Sequence, residues 1–207
     1  THWDYSTIKY DSAGVQQGVQ RYNGPGNFYD VAYAISADDL GFIYVTGGSY
    51  GSSGNYDFLT IKYSSSGDTV WTRRYNGPRN ALDKAYAIVL DDTGNVYITG
   101  ESEGSTGTHG IFEDYATIKY STDGTFRWVA RYNGPIGDYD RANAITIDDS
   151  GNVYVTGTSD GGSSGSGDPY FDYATLKYNN RGDVQWIKRY KGFGTSNDEA
   201  KAIEVDI

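Results

Sequence analysis

Apolar and polar positions alternate along most of the chain in short runs, and Gly, Asn, Asp and Ser break one run from the next. Val96-Tyr97-Ile98-Thr99-Gly100 and Thr117-Ile118-Lys119-Tyr120 are typical, rich in β-branched and aromatic side chains. Such runs predict half-buried or buried strands joined by tight turns. The three-to-four spacing of a helical face is absent.

The runs recur in a fixed order. Asp4-Tyr5-Ser6-Thr7-Ile8-Lys9-Tyr10 returns with small changes at Asp57–Tyr63, Asp114–Tyr120 and Asp172–Tyr178. The starts at 4, 57, 114 and 172 are 53, 57 and 58 residues apart. Arg21-Tyr22-Asn23-Gly24-Pro25 returns at 74–78 and 131–135, and decays to Arg189-Tyr190-Lys191-Gly192-Phe193. An Ala-rich block occupies 32–35, 85–88 and 142–145, followed by Val-Tyr-Val-Thr-Gly-like blocks at 43–47, 96–100 and 153–157. Four strand-like blocks per unit of this length are the signature of a propeller blade. The repeats run approximately over 4–56, 57–113, 114–171 and 172–207, in one domain spanning 1–207.

These units resemble the bacterial SBBP (seven-bladed) β-propeller repeat, whose blades carry D-Y-A-T-I-K-Y, R-Y-N-G-P and G-N-V-Y-V-T-G segments. The resemblance implies an all-β propeller of four-stranded antiparallel blades, in a secreted or surface-attached bacterial protein. It brings no catalytic residue, because the family has no established shared activity.

Taking the Ala-rich block as the innermost strand A, one blade reads A at 140–148, B at 152–157, C at 172–178 and D at 184–190. The chain then starts at a C strand and ends in an A strand over Asp198–Ile207. Three blades are complete, and a split fourth, assembled from both ends, lacks its B strand. The gap predicts that further blades of a longer chain, or a homodimer, close the ring. Thr1 opens the sequence without Met or a signal-like segment, which predicts a mature form or an excised piece.

Composition narrows the chemistry. The chain has 28 Gly and 21 Tyr but only 4 Pro, and no Cys excludes disulfides, thiolate metal sites and cysteine nucleophiles. A net charge of −10 argues against nucleic acid as a partner. No apolar stretch is long enough to predict membrane insertion. The two histidines, His2 and His109, have no repeated partner with which to build a His metal site or a Ser-His-Asp triad.

Three residue sets remain. Asp4 with Arg21, Asp57 with Arg74, Asp114 with Arg131 and Asp172 with Arg189 are expected as structural cross-strand pairs, directly opposed if each C–D turn is a four-residue loop. Asp30, Asp83, Asp140 and Asp198 each precede strand A; a closed ring would gather them into a possible Ca²⁺ site, and otherwise they satisfy backbone N–H groups in loops. No other cofactor is expected. The B–C loops at 48–56, 101–113 and 158–171 are the most variable segments. With the adjoining D–A loops they place Tyr29, Tyr50, Tyr56, Phe112, Tyr139, Tyr170 and Phe171 on one face. Loops on a rigid scaffold are where binding concentrates. The expectation is therefore a non-catalytic extracellular or cell-surface module that presents this face to protein or polysaccharide. One alternative is a purely structural element of a surface or filament assembly associating through blade edges. The other is a polysaccharide hydrolase or lyase using loop carboxylates such as Glu101, Glu103, Glu113 and Asp168.

Overall fold

The computed structural model describes residues 2–106, 111–161, 171–192 and 197–206, and these form fourteen strands. β1 (Tyr5–Tyr10) and β2 (Gln16–Tyr22) make a two-stranded sheet. β3 (Asp30–Ala37), β4 (Ile43–Tyr50), β5 (Tyr56–Tyr63) and β6 (Thr69–Tyr75) make the first complete blade. β7 (Asp83–Leu90), β8 (Val96–Thr106), β9 (Ile111–Tyr120) and β10 (Phe126–Tyr132) make the second. β11 (Asp140–Ile147), β12 (Val153–Asp160), β13 (Phe171–Tyr178) and β14 (Val184–Tyr190) make the third. Every pairing is antiparallel and between consecutive strands, so each blade is a meander in the order A-B-C-D.

The turns follow from their residues. In the A–B hairpin of blade 2 the Gly94 N–H donates to the Asp91 carbonyl, and Gly94 takes φ +76°. Asp91 Oδ1 accepts from the N–H groups of Thr93 and Asn95, and the Tyr97 hydroxyl donates to Oδ2. Asp38 and Asp148 do the same in blades 1 and 3. A type I turn closed by a left-handed glycine is the three-residue hairpin with a bulge. Arg181-Gly182-Asp183 is part of such a turn, with Asn179 Oδ1 accepting from the N–H groups of Arg181 and Asp183.

Every inner strand carries a bulge at one position. The register slips between Ala32 and Ala34, Ala85 and Ala87, and Ala142 and Ala144, leaving Tyr33, Tyr86 and Asn143 unpaired. The Thr-Gly glycine of strand B lies opposite. A Cβ on Gly100 would stand 2.0 Å from the Lys84 carbonyl oxygen, and Gly47 and Gly157 are equally crowded.

Blades stack through a repeated set of donors on strands C and D. Trp71 Nε1 donates to the Thr122 carbonyl in the C–D turn of the next blade at 3.1 Å, and Trp128 Nε1 to Asn180 at 3.1 Å. The lysine of the Thr-Ile-Lys-Tyr block reaches the same turn: Lys9 to Ser65, Lys62 to Thr122 and Lys119 to Asn180. The Tyr5 and Tyr115 hydroxyls donate to Leu59 and Ala174 carbonyls across their seams. Between these donors lie the apolar cores, built on Ile61 and Tyr63, on Val96, Ile98 and Ile118, and on Val155 and Leu176.

The chain ends depart from the expectation. Residues 198–206 contain no strand, and among the described residues no strand pairs with them. They lie beside β11 instead, where Asn143 Nδ2 donates to the Ala200 carbonyl. Among the described residues the N-terminal hairpin packs on blade 1, and Trp186 of blade 3 is 36% exposed where Trp71 is 6% exposed. The split fourth blade is therefore not assembled, and the described residues form an open arc.

Candidate functional site

The conserved polar groups of each blade form a chain across its four strands. In blade 3, Ser159 Oγ donates to Asp140, Arg189 bonds Ser159 Oγ and its carbonyl, and Arg189 Nη2 lies 3.2 Å from Asp172. Arg74–Asp57 at 2.6 Å and Arg131–Asp114 at 3.1 Å repeat the ion pair. The geometry differs from direct opposition. A three-residue turn and one slip, between Phe126 and Trp128, place Arg131 opposite Ala116, so each long guanidinium reaches its aspartate diagonally along the same face. Asp4 and Arg21 form no ion pair among the described residues; both are exposed, and their sheet lacks the B-strand serine that holds the other arginines.

The four aspartates before strand A do not gather. Asp30, Asp83, Asp140 and Asp198 each accept from the glycine N–H six residues earlier: Gly24 at 2.7 Å, Gly77 at 2.7 Å, Gly134 at 2.6 Å and Gly192 at 2.6 Å. Each of the first three carboxylates thereby closes its own Asn-Gly-Pro loop and is fully buried. Among the described residues no group of three or more His, Cys, Asp or Glu side chains is placed to hold a metal ion. The Ca²⁺ expectation thus loses the convergence it needed.

The loop aromatics fall into two groups. Tyr29, Tyr50 and Tyr56 join Phe28 and His2 in a chain of ring contacts at one end of blade 1, with centroids 4.3–5.3 Å apart. Tyr139 and Phe171 meet edge to face at 5.7 Å in blade 3. Phe112 is half-buried on β9, between these groups in sequence. Tyr170, Asp168 and His109 lie outside the described residues. The segment 101–113 is less of a loop than expected: β8 runs to Thr106 and β9 starts at Ile111, so Glu101, Glu103 and Glu113 are strand residues.

Glu101 is the centre of a cluster that breaks the repeat symmetry. It stands where blades 1 and 3 have Gly48 and Thr158, and its partner across the ladder is Lys84, matching Val31 and Arg141. Its buried carboxylate accepts from the Tyr86 hydroxyl at 2.7 Å and from the Tyr139 hydroxyl of the next blade at 3.0 Å. Lys84 Nζ lies 4.0 Å away and also over the Tyr56 ring. Arg141 stacks on the rings of both Tyr86 and Tyr139 and pairs with Glu199 at 3.0 Å. The bulge supplies Tyr86, whose ring also meets that of Tyr33, at 5.1 Å.

Burial, then the Glu101 charge, holds both the Tyr86 and Tyr139 hydroxyls above the usual phenol range. At neutral pH they are neutral donors, unsuited to act as bases. Burial and the neighbouring Glu101 and Glu103 push the Glu113 carboxyl up. Beside the cluster opens a cleft of about 380 Å³, walled by Tyr139, Arg141, Thr158, Phe171, Asn197 and Glu199. Flat rings with a planar cation, amides and carboxylates suit stacking and bidentate hydrogen bonding to a polar ligand. Sequence reasoning placed Tyr139 and Phe171 on the binding face but passed over Lys84, Tyr86 and Arg141. The signal was present in the positions where aligned repeats disagree.

Residues 70–105 and 128–163 match the family described as "SBBP: Beta-propeller repeat". Each segment spans a D strand and the A and B strands that follow it. A solved structure described as "Tail fiber of Staphylococcus aureus phage P68" is similar at 10% identity and a TM-score of 0.26, over 77% of this chain and 39% of that one. This chain thus spans about two fifths of the fibre chain. No curated protein matches the sequence.

Proposed function

We propose, from the premise that this chain carries SBBP β-propeller repeats, that it is a non-catalytic binding module of the cell exterior. Its ligand would be a polysaccharide or an extended protein segment. The observation that carries this reading is the Glu101 cluster with its adjoining cleft, where blades 2 and 3 are joined through a carboxylate that the equivalent Gly48 and Thr158 lack. The cluster offers aromatic faces, a cation and amide groups together, which is how sugar rings and peptide planes are held.

The test is a binding screen of the full chain against immobilised polysaccharides and unfolded polypeptides, repeated with Tyr139→Ala and Arg141→Ala. Binding that both substitutions abolish, with the fold retained, supports the reading. Binding that neither alters would move the ligand site elsewhere. A second reading, a structural element associating through blade edges, is favoured by the exposed outer face of blade 3.

A further inference from the structure

Both open ends of the arc expose halves of one seam. Blade 3 presents the leading half: Tyr173, Lys177 and Trp186 are the counterparts of Tyr115, Lys119 and Trp128, which donate to the turn and C strand of a following blade. Among the described residues no blade covers this face. Trp186 is 36% exposed, and Lys177, over the Tyr154 ring as Lys119 is over Tyr97, lies 3.9 Å from Asp148.

The N-terminal hairpin presents the trailing half. Ile8 and Tyr10 correspond to Ile118 and Tyr120, which are buried against the preceding blade. In the hairpin they are 44% and 56% exposed, against 0% and 4% for their counterparts. Its turn has the same hydrogen bonds as the others, with Gly14 N–H donating to Asp11. Ser12 therefore stands where Thr122 and Asn180 offer their carbonyls.

We propose that blade 3 of one chain docks the N-terminal hairpin of a second copy, reproducing the seam between blades. Trp186 and Lys177 donate to the Ser12 carbonyl of the second copy, Tyr173 donates to its Ser6 carbonyl, and the Trp186 ring covers Ile8 and Tyr10. This argument is independent of the ligand reading and uses a separate surface. The join lacks a counterpart of the B-strand pair Val96 and Ile98, which fills the seam between blades 1 and 2. It is consequently weaker than the seams inside the chain. Because the two surfaces differ, the contact is head-to-tail and can propagate beyond two copies.

Sedimentation equilibrium of the full chain over a wide concentration range tests this. The mass should climb from the 22.7 kDa of one chain as concentration rises. Trp186→Glu and Ile8→Glu replace exposed residues, and with circular dichroism unchanged each should weaken association by about tenfold or more. Mixed in equal amounts, the two variants should form a pair that grows no further, since each keeps only one competent face. A single-chain mass at every concentration overturns the proposal. So does association that both substitutions leave unchanged, or variants that fail to pair when mixed.

Discussion

The Tyr139 hydroxyl donates to the Glu101 carboxylate at 3.0 Å, joining blade 3 to blade 2 through a side chain that no other blade possesses. Glu101 also takes the Tyr86 hydroxyl, so removing its charge strands two half-buried donors. Glu101→Ala should cost about 2–3 kcal/mol, and Glu101→Gln, which keeps one acceptor, about 1 kcal/mol. Urea denaturation monitored by fluorescence measures both, and equal costs would contradict the assignment.

Trp71 and Trp186 occupy equivalent positions with unequal surroundings. Trp71→Ala should destabilise the chain by about 3–5 kcal/mol, the usual range for a buried tryptophan. Trp186→Ala, at a face without a neighbouring blade, should cost about 1 kcal/mol or less in dilute solution. Denaturation midpoints of the two variants decide the order.

Gly18 stands where Trp71 and Trp128 stand in the other sheets, opposite Lys9 as they are opposite Lys62 and Lys119. A cleft of about 240 Å³ takes the place of the indole, walled by Lys9, Ile43, Tyr63, Ser65 and Gly67, and nothing lies within 4 Å of a Cβ built on Gly18. Gly18→Trp should fill it and add about 1–2 kcal/mol. A lower melting temperature would mean that Gln20, which overlies Gly67, cannot move aside.

Gly100 faces the bulge of β7, where a Cβ would sit 2.0 Å from the Lys84 carbonyl oxygen. Gly100→Ala should cost about 3 kcal/mol, because backbone has to move on one strand or the other. Thermal melts of Gly100→Ala beside Gly18→Ala, whose Cβ would meet nothing within 4 Å, provide the comparison.

Stability should peak near pH ~4. Burial raises the Asp83 carboxyl to about 6 and that of Asp140 to about 7. The folded chain thus holds protons that the unfolded chain releases near pH ~4. Stability from these groups is full below that pH and is lost as pH rises through 6 and 7. Asp91 and Asp148 act oppositely: against the effect of burial, hydrogen bonds from Asn95 and Asn152 hold them below the usual carboxylate range. Their contribution is present above pH ~4 and fades below it. Tm measured from pH 3 to pH 8 should show the maximum, and Asp140→Asn should flatten its alkaline side. A Tm that still climbs from pH 6 to pH 8 would refute the assignment.

The strands and their order were legible because each block is long, regular and repeated. The same averaging hid the cluster around Glu101. Lys84, Tyr86 and Arg141 sit in blocks whose other members carry Val31, Tyr33 or Asn143, so they read as variation in a strand and not as a site. The bulge that leaves Tyr86 unpaired has no signature beyond a glycine on the opposite strand. The aspartates before strand A were legible as repeated positions, but their partners depended on whether the ring closes. The exposed Ile8, Tyr10 and Trp186 show that the described residues leave it open.

The indole of Trp128 leans on the turn of the next blade and not on its own, so each blade borrows part of its packing from the one that follows. Such a chain of loans sets an order of unravelling. Blade 2 is gripped on both sides, whereas the N-terminal hairpin and residues 197–206 have one neighbour each. Amide protons of the hairpin should exchange with solvent first and those of β8 and β9 last. Under load or warming, the molecule should peel from its ends inward.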